Sequence, residues 1–309
     1  MSTTSLQLTA KYPRKRAFVT GAASGLGFAL CKELASNGWT IAMADISLKA
    51  LEEKSAEVRE LGGVPVTYLL DVANKDAYRL VADAFLKLHE GIDLLVNNAG
   101  VGDGGLIEEY SLENWDWLLS INLNGVIYGS SLFIPAMKAQ RAGTIINIAS
   151  AAAFTSLPRM GAYNVSKAAV LSLSETMTAE LHSHRVHVSV VMPTFFKTHV
   201  MQHSRGTEED IAMSRLIFGT STRTPEEIAS QVLAKAGKGQ FHIVLNWDAK
   251  VMYRLKRYFP NLMLWIFRKG EQRKHIMEAR LKSKFERMEQ RGEVDHDYLN
   301  SVFGKKTKP

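Results

Sequence analysis

Two residues of the segment YNVSK, Tyr163 and Lys167, are spaced so that they share one face of a helix. A free phenol titrates at about pH 10 and is a poor acid or base at neutral pH. A neighbouring ammonium stabilises the phenolate, and each unit by which the pKa falls corresponds to about 1.4 kcal/mol. Such a pair can donate a proton to a carbonyl or take one from an alcohol. Because a tyrosine and a lysine often have this spacing by chance, the pair alone is weak evidence.

The segment TGAASGLG, residues 20–27, suggests a second kind of chemistry, the binding of phosphate. Its glycines at 21, 25 and 27 let the backbone turn sharply and approach an anion at a helix N-terminus. The spacing G-x3-G-x-G differs from the dinucleotide fingerprint G-x-G-x-x-G, and the absence of a following Gly-Lys-Ser/Thr excludes a P-loop. A purely structural glycine-rich turn is the alternative.

Asp45 closes the second apolar run, 24 residues after Gly21. A carboxylate at this place can accept hydrogen bonds from both hydroxyls of an adenosine ribose. It would repel a 2′-phosphate by about 4 kcal/mol per pair of unit charges at ~4 Å. No Arg or Lys occupies position 24, 46 or 47 to offset that repulsion, and Ser47 already offers a cap for the next helix. The sequence therefore predicts NAD(H) as the cofactor, with NADP(H) disfavoured.

The motifs TGAASGLG, NNAG (97–100), IAS ending at Ser150 and YNVSK resemble, in order and spacing, the short-chain dehydrogenase/reductase family over roughly residues 14–246. The resemblance implies that Tyr163 is the catalytic acid/base and that Lys167 lowers its pKa and holds the nicotinamide ribose. It implies that Ser150 hydrogen-bonds the substrate oxygen and that Asn122 holds a water in a proton relay. The implied cofactor site comprises Gly21, Ser24, Gly25, Leu26, Gly27, Asp45, Asp71, Val72, Asn98, Ala99, Gly100, Tyr163, Lys167, Pro193 and Thr198.

Within that implied site, Asp71 is expected to contact the adenine and Thr198 the nicotinamide carboxamide. The segment PTFFKT departs from the family pattern, because Thr194 stands where the motif has glycine. The backbone beside the nicotinamide is therefore expected to be less free. About sixty residues follow the last expected strand, in place of the family's short glycine-rich ending. A homodimer or homotetramer is the expected assembly.

Short apolar runs and longer amphipathic segments alternate over residues 16–240, as in strands buried on both faces of a parallel sheet. Helical stretches are expected at 25–37 and 47–61, and TPEE (224–227) supplies an N-cap followed by proline at the first helical position. This alternation predicts an α/β fold: a Rossmann-like, doubly wound, seven-stranded parallel sheet with helices on both faces. The expected strands are RAFVT, TIAMAD, VPVTYLL, IDLLVNN, TIINIAS, RVHVSVVMP and FHIVLN.

Three parts are expected along the chain. They are an N-terminal arm (1–13), an NAD-binding catalytic domain (14–247) and a basic, amphipathic helical extension (248–309). Within the catalytic domain, residues 193–224 show no clear element and are the expected substrate lid.

Composition bounds the setting of the protein. Of 309 residues, 46% are hydrophobic and 22% charged, which is typical of a globular chain. Cys31 is the single cysteine, so no internal disulfide can form, and no signal peptide or span of roughly 18 apolar residues is apparent. The expected location is the cytoplasm, with peripheral contact on the inner membrane surface left open. Metal binding is not predicted, since His182, His184 and His187 have no nearby Cys or carboxylate partner.

The positive charge is concentrated in the C-terminal part. Residues 241–309 hold 16 Lys and Arg against 8 Asp and Glu, whereas residues 1–240 hold 22 against 23. Six apolar residues run from 262 to 267, just before Arg268 and Lys269. One interpretation packs Leu262, Trp265 and Ile266 onto the domain or a partner subunit. The other is a peripheral membrane contact through residues 251–269, where Trp265 and Phe267 enter the headgroup region. Nucleic-acid binding is not predicted, because no recognisable module is present.

The leading hypothesis is an oxidoreductase that transfers a hydride between NAD(H) and a secondary alcohol or ketone, with Tyr163 as acid/base. The expected substrate lining, 151–160 and 195–218, is largely apolar, so a hydrophobic, neutral substrate is predicted: a steroid, aromatic or lipid-like molecule. The alternative is a non-catalytic NAD-binding sensor or scaffold at a membrane surface. The intact set of Asn122, Ser150, Tyr163 and Lys167 argues against it.

Overall fold

A computed structural model describes residues 6–202, 204–205 and 207–304. Parts of the predicted N-terminal arm (1–5) and extension (305–309) lie outside the described residues. The strands are β1 (Arg16–Thr20), β2 (Thr40–Asp45), β3 (Val64–Leu69), β4 (Leu94–Asn97), β5 (Gly143–Ile148), β6 (Val186–Val191) and β7 (His242–Ile243).

The helices of the catalytic domain include one π-helical turn, Ser120–Asn124, which joins α5 to α6. The α-helices are α1 (Leu6–Lys11), α2 (Gly25–Ala35), α3 (Leu48–Glu60), α4 (Lys75–His89), α5 (Leu112–Leu119), α6 (Gly125–Gln140), α7 (Ala152–Thr155), α8 (Gly161–Leu181), α9 (Glu208–Gly219) and α10 (Pro225–Gly237), followed by α11 (Trp247–Tyr258), α12 (Pro260–Gln272), α13 (Lys274–Gln290) and α14 (His296–Phe303).

All seven strands form one parallel sheet in the order β3-β2-β1-β4-β5-β6-β7. Val19 of β1 lies beside Met43 of β2 on one side and Val96 of β4 on the other. Because the strand order reverses between β1 and β4, a crevice opens at their carboxyl ends, where sheets of this kind bind ligands. The predicted doubly wound seven-stranded sheet with a helical C-terminal extension is confirmed.

Apolar strands pack against helices on both faces of the sheet. Every residue of β1, β4 and β5 is buried. Alternate side chains of β1 point to opposite faces, so Phe18 joins a core with Phe85 and Phe133, while Val19 joins another with Leu34. The short apolar runs thus build a rigid sheet whose carboxyl edge is free to carry a site.

The strand β3 departs from the expectation of burial on both faces. It lies at the edge of the sheet, where Val64 and Leu69 are more than half exposed. Pro65 is tolerated there because an edge strand can lack one backbone donor. The apolar run VPVTYLL therefore predicted a strand correctly, but the expected burial on both faces of the sheet was wrong.

The helix α9 lies within the segment 193–224, which was expected to contain no clear element. Thr207 caps this helix by accepting a hydrogen bond from the backbone N–H of Asp210. Glu208 and Glu209 place negative charge in the first turn, where the helix dipole favours it. The expectation was wrong because Thr-Glu-Glu-Asp is itself a helix-start signal. By contrast, the predicted start of α10 is confirmed: Thr224 forms a capping box with Glu227.

The last two helices of the extension pack on α9. Gly219 of α9 packs closely against Phe285 of α13, because a Cβ atom at position 219 would lie only 2.6 Å from a ring carbon of Phe285. Val302 of α14 joins Met201 and Phe218 in a buried cluster. The extension is therefore attached to the segment that was predicted to cover the substrate.

One helical stretch of the described residues, Leu112–Gln140, is long and apolar enough to cross a membrane by length and composition. It consists of α5, the π-helical turn and α6. Phe133 and Met137 are fully buried in the core beside the sheet, and Asn122 is buried as well. Part of this stretch therefore packs in the core of the domain.

Candidate active site

A cavity of about 1330 Å³ runs along the carboxyl edge of the sheet. Its wall includes Asp45 at the end of β2, the glycine-rich turn, Tyr163 of α8 and Phe267 of α12. The cavity thus brings the predicted cofactor and catalytic residues together. The predicted residues on its wall are Gly21, Ser24, Gly25, Leu26, Asp45, Asp71, Val72, Asn98, Ala99, Gly100, Ser150, Tyr163, Lys167, Pro193 and Thr198. Gly27 and Asn122 were also predicted as site residues, but neither is on this wall.

The glycine-rich turn precedes α2 and lies at the edge of the cavity. Gly21 adopts a left-handed conformation, φ +63°. A Cβ atom on Gly27 would lie 2.0 Å from the carbonyl oxygen of Gly21, so this glycine permits close packing of α2 on the turn. Ser24, the N-cap of α2, makes no side-chain capping bond and lines the cavity with Gly25 and Leu26. The first N–H groups of α2 are therefore suited to a diphosphate.

Asn98 fixes the shape of that turn from the adjacent strand. Its side-chain nitrogen donates to the carbonyl oxygens of Thr20 (2.8 Å) and Gly21 (3.2 Å). Its backbone N–H donates to the hydroxyl of Thr20 at 3.0 Å. The NNAG motif thus fixes the conformation of the glycine-rich turn as well as lining the cavity.

Asp45 lies on the cavity wall at the end of β2, held by two backbone amides. Its carboxylate accepts hydrogen bonds from the N–H groups of Ala23 and Ser47, both at 3.1 Å. The hydroxyl of Ser47 caps α3 by accepting from Ala50 N–H, so Asp45 is not needed as that cap. The remaining lone pairs of the carboxylate are suited to ribose hydroxyls.

Tyr163 and Lys167 share one face of α8, as their spacing predicts. The Lys167 Nζ atom lies 5.5 Å from the centroid of the Tyr163 ring and donates a 3.0 Å hydrogen bond to the carbonyl oxygen of Ile148. Ser150, which follows β5, places its hydroxyl beside the Tyr163 phenol. A Cβ atom at position 100 would lie 3.4 Å from the Lys167 Nζ atom. Glycine at this position of the NNAG turn therefore leaves room for the lysine side chain.

Burial dominates the titration behaviour of this pair. Burial raises the pKa of Tyr163 to about 12, the charge of Asp103 adds to the rise, and a hydrogen bond with Ser150 opposes it. Burial also lowers the pKa of Lys167 to about 8. In the protein alone, the net shift of the Tyr163 pKa is therefore upward, because desolvation dominates, and the implied lowering by Lys167 stays a prediction.

Asn122 lies in the π-helical turn between α5 and α6 and is fully buried. Its side-chain oxygen accepts from Val101 N–H at 2.8 Å. Its nitrogen donates to Val101 C=O at 2.9 Å and to the Ser166 hydroxyl at 3.3 Å. These bonds connect the loop after β4 to α8. Asn122 thus positions the elements that carry the site, and its implied contact with a water remains a prediction.

Thr194, the residue in place of the expected glycine, forms a hydrogen-bonded junction. Its hydroxyl accepts from Arg223 Nη1 at 2.9 Å and from Asn246 Nδ2 at 2.6 Å. The side chain therefore links the segment after β6 to the residues that precede α10 and α11, which gives a structural reason for threonine here.

Tyr298 of α14 holds Thr198, a contact that the sequence did not predict. The phenol donates to the carbonyl oxygen of Thr198 and accepts from its N–H, both at 2.9 Å. Beside it, Lys197 forms an ion pair with Asp295 at 2.9 Å. Local patterns could not reveal this contact, since the two segments are 100 residues apart.

Tyr298→Phe should raise the KM for NAD about three- to tenfold with a small effect on kcat, since it removes two hydrogen bonds of modest net strength and leaves the ring packed. Steady-state kinetics with varied NAD measures this. Tyr258→Phe, at an exposed position of α11, is the matched control. An unchanged KM would show that the clamp does not position Thr198 for the cofactor.

Asp103 is a second site residue that the sequence analysis missed. It lines the cavity, is 3% exposed, and its Oδ1 atom has no hydrogen-bond partner among the described residues. Burial raises its pKa to about 6; the backbone N–H of Tyr163 and the hydroxyl of Tyr110 oppose that rise, and the charge of Asp210 adds to it. The available signal was an acidic residue in the glycine-rich loop after NNAG.

Asp103→Asn should shift the pH profile of alcohol oxidation toward lower pH. Above about pH 6 the wild-type Asp103 is charged and raises the pKa of Tyr163, so a neutral Asn makes that tyrosine easier to deprotonate. Below about pH 6 both proteins carry a neutral group, and the profiles should converge. The pH dependence of kcat/KM tests this, with Asp83→Asn on the exposed side of α4 as control. A shift to higher pH contradicts it.

The substrate end of the cavity is largely apolar but contains a charged anchor. Arg159 binds Asp210 of α9 through two hydrogen bonds, 2.6 and 2.9 Å, and so connects α9 to the loop before α8. The expected segments 151–160 and 195–218 do contribute to the wall, together with residues from α11 and α12. The large apolar side chains there are Trp117, Ile121, Leu157, Met160, Phe195, Phe196, Val200, Met201, Met213, Ile217, Phe218, Met252, Ile266 and Phe267.

The sequence is similar to a known protein family and to individual members of it. The family model described as short chain dehydrogenase matches residues 15–209. A 3-oxoacyl-(acyl-carrier-protein) reductase of Thermotoga maritima is 32% identical over 219 residues, covering 71% of this chain and 89% of the relative.

Two solved structures are similar in both fold and sequence. A short-chain dehydrogenase/reductase of Burkholderia phymatum in complex with NAD has a TM-score of 0.75 and 31% identity, covering 80% of this chain and 94% of that one. A metagenomic short-chain oxidoreductase in complex with NADP has a TM-score of 0.63 and 30% identity, covering 75% and 95%. A nicotinamide dinucleotide is the ligand that both share.

Proposed function

Because the chain belongs to the short-chain dehydrogenase/reductase family, we propose that it interconverts a hydrophobic secondary alcohol and a ketone with NAD(H). One observation carries the proposal: a single cavity is lined by the glycine-rich turn, by a group of large apolar side chains, and by Ser150, Tyr163 and Lys167. The bound cofactor supplies the hydride acceptor or donor. The residues of the chain then have to hold the substrate and move one proton.

In oxidation, the deprotonated phenolate form of Tyr163 takes the proton of the substrate hydroxyl and becomes the neutral phenol, and the Ser150 hydroxyl hydrogen-bonds the same substrate oxygen. In ketone reduction the tyrosine returns the proton. Lys167, whose Nζ lies beside the ring, provides positive charge at pH values below about 8, where its ammonium persists. Apolar walls exclude water from the reacting carbon.

Asp45 supports NAD over NADP. The carboxylate is bonded to the glycine-rich turn, beside which we expect the adenosine ribose. The Arg and Lys residues among the described wall residues are Arg159, in the loop before α8, and Lys167, in α8. A 2′-phosphate beside Asp45 would meet an uncompensated negative charge. The apolar wall supports a neutral, hydrophobic substrate of the steroid, aromatic or lipid-like class.

A panel of hydrophobic secondary alcohols, incubated with NAD and followed by reduced-nicotinamide absorbance, tests the proposal. Turnover that disappears in Tyr163→Phe supports it. Tight NAD binding without turnover of any alcohol, or of any matching ketone with NADH, would favour the non-catalytic sensor or scaffold. Mass determination by light scattering in the same preparation tests the proposed homodimer or homotetramer. The proposed location is cytoplasmic, with peripheral contact at the inner membrane surface.

A further inference from the structure

The outward faces of α11 and α12 carry a group of large apolar side chains that the chain itself leaves uncovered. On α11, Val251 lies four residues after Trp247, and Tyr258 lies seven residues after Val251. On α12, Trp265 and Ile266 lie three and four residues after Leu262. These are spacings that place side chains on one side of a helix. Trp247 is 75% exposed and Trp265 is 56% exposed. The α11–α12 face is defined as Trp247, Val251, Tyr258, Phe259, Leu262, Leu264, Trp265 and Ile266, all exposed.

Packing within the chain does not account for this face. The buried residue of α11 is Ala249, and that of α12 is Met263. Met252 of α11 and Phe267 of α12 are half-buried and line the cavity. Phe267, expected to enter a membrane, therefore lies on the cavity side. Eight exposed large apolar side chains within residues 247–266 mark this part of the surface as a candidate interaction site.

The charge of the two helices favours a lipid surface over a second copy. They carry six Lys and Arg residues against Asp248 and Glu271. A symmetric contact between two such faces would bring like charges together, whereas anionic headgroups complement them. Exposed tryptophan beside basic residues is the composition of an interfacial helix. The basic residues are Lys250, Arg254, Lys256, Arg257, Arg268 and Lys269.

The same helices form one end of the cavity. Ile266, Phe267, Gly270 and Glu271 of α12, with Met252 of α11, are on its wall. Ile266 is thus partly exposed and also borders the cavity. A surface that contacts the α11–α12 face would therefore lie next to this end of the cavity.

We propose that the α11–α12 face docks reversibly on an anionic lipid surface and that hydrophobic substrate enters the cavity from the lipid past α12. The docking stands on the exposed side chains and charges alone. The entry route rests on the proposed function.

Co-sedimentation of the full chain with vesicles of phosphatidylcholine, with and without phosphatidylglycerol, tests the docking. Binding should require the anionic lipid and weaken as salt is raised. Leu262→Ser with Trp265→Ser should lower the bound fraction at least about tenfold. The matched control is Leu80→Ser with Leu88→Ser, two exposed leucines of α4, which should bind as the wild type does.

An intact protein that stays in the supernatant at low salt overturns the docking. So does equal binding by the two double variants. If the variant instead changes the molar mass measured by light scattering, the face is a contact between copies and the lipid proposal is wrong. Unchanged thermal unfolding of both variants confirms that the exposed positions left the fold intact.

The entry route has its own readout. The Leu262/Trp265 variant should lose rate on a hydrophobic alcohol dissolved in vesicles while keeping kcat/KM for a short, water-soluble secondary alcohol. Equal loss on both substrates contradicts entry from the lipid. Vesicle binding with no alcohol turnover at all would leave the docking intact and refute the proposed function instead.

Discussion

Tyr163→Phe is expected to lower kcat for alcohol oxidation about 10²- to 10⁴-fold while the Kd of NAD changes by less than about twofold. The phenol is the group placed to exchange a proton with the substrate oxygen, and phenylalanine preserves the ring that Lys167 Nζ approaches at 5.5 Å. Fluorescence titration with NADH measures cofactor affinity separately from turnover. The loss should therefore appear in kcat.

Two variants make that result specific. Tyr68→Phe changes a tyrosine of β3 that stacks on Phe18, away from the cavity, and should keep wild-type kinetics. Lys167→Ala should lose both turnover and cofactor affinity, because the lysine is proposed to serve the phenol and the nicotinamide ribose. If Tyr163→Phe retains more than a few per cent of the rate, another group handles the proton.

The parts of the site that local sequence determines could be predicted. Tyr163 and Lys167 needed only helical periodicity, and Asp45 needed only the end of a buried strand. The glycine spacing predicted a sharp turn before α2. Gly27, which was predicted to line the site, instead allows α2 to pack closely on this turn and does not line the cavity. Each of these predictions rests on interactions within a few residues of the chain.

Contacts between distant segments could not be predicted in this way. The bond between Tyr298 and Thr198 joins residues 100 apart, and no local pattern of α14 marks its tyrosine as part of the site. The charge environment was equally hidden. The sequence showed Lys167 near Tyr163 but not the burial that raises one pKa and lowers the other.

The amphipathic extension was predictable as helix but not in its orientation. The run 262–267 shows apolar character, yet only packing decides that Met263 is buried, that Phe267 lines the cavity and that Trp265 faces outward. Periodicity predicts the relative directions of side chains on a helix. Periodicity does not predict which apolar side of the helix packs against the rest of the protein and which side is exposed.

The double change Asp45→Ser with Ile46→Arg is expected to raise the NADP-to-NAD ratio of kcat/KM about 100-fold or more. It removes a repulsion of up to about 4 kcal/mol per charge pair and adds a cation beside the 2′ position. Serine retains an acceptor for the N–H of Ala23, which Asp45 binds at 3.1 Å, so the phosphate turn keeps a support that alanine would remove. Ile46 is 61% exposed, so arginine there displaces no core packing.

Leu48→Arg is the matched control, since it adds a cation at a similarly exposed position of α3 that is not among the residues lining the cavity. Its ratio should stay near the wild-type value, measured with both cofactors at equal ionic strength. A wild-type protein that already prefers NADPH would contradict the assignment of Asp45. That outcome would require the carboxylate to turn away from the 2′ position. Turning away would break its hydrogen bonds to the N–H groups of Ala23 and Ser47, which is the structural reason to expect NAD.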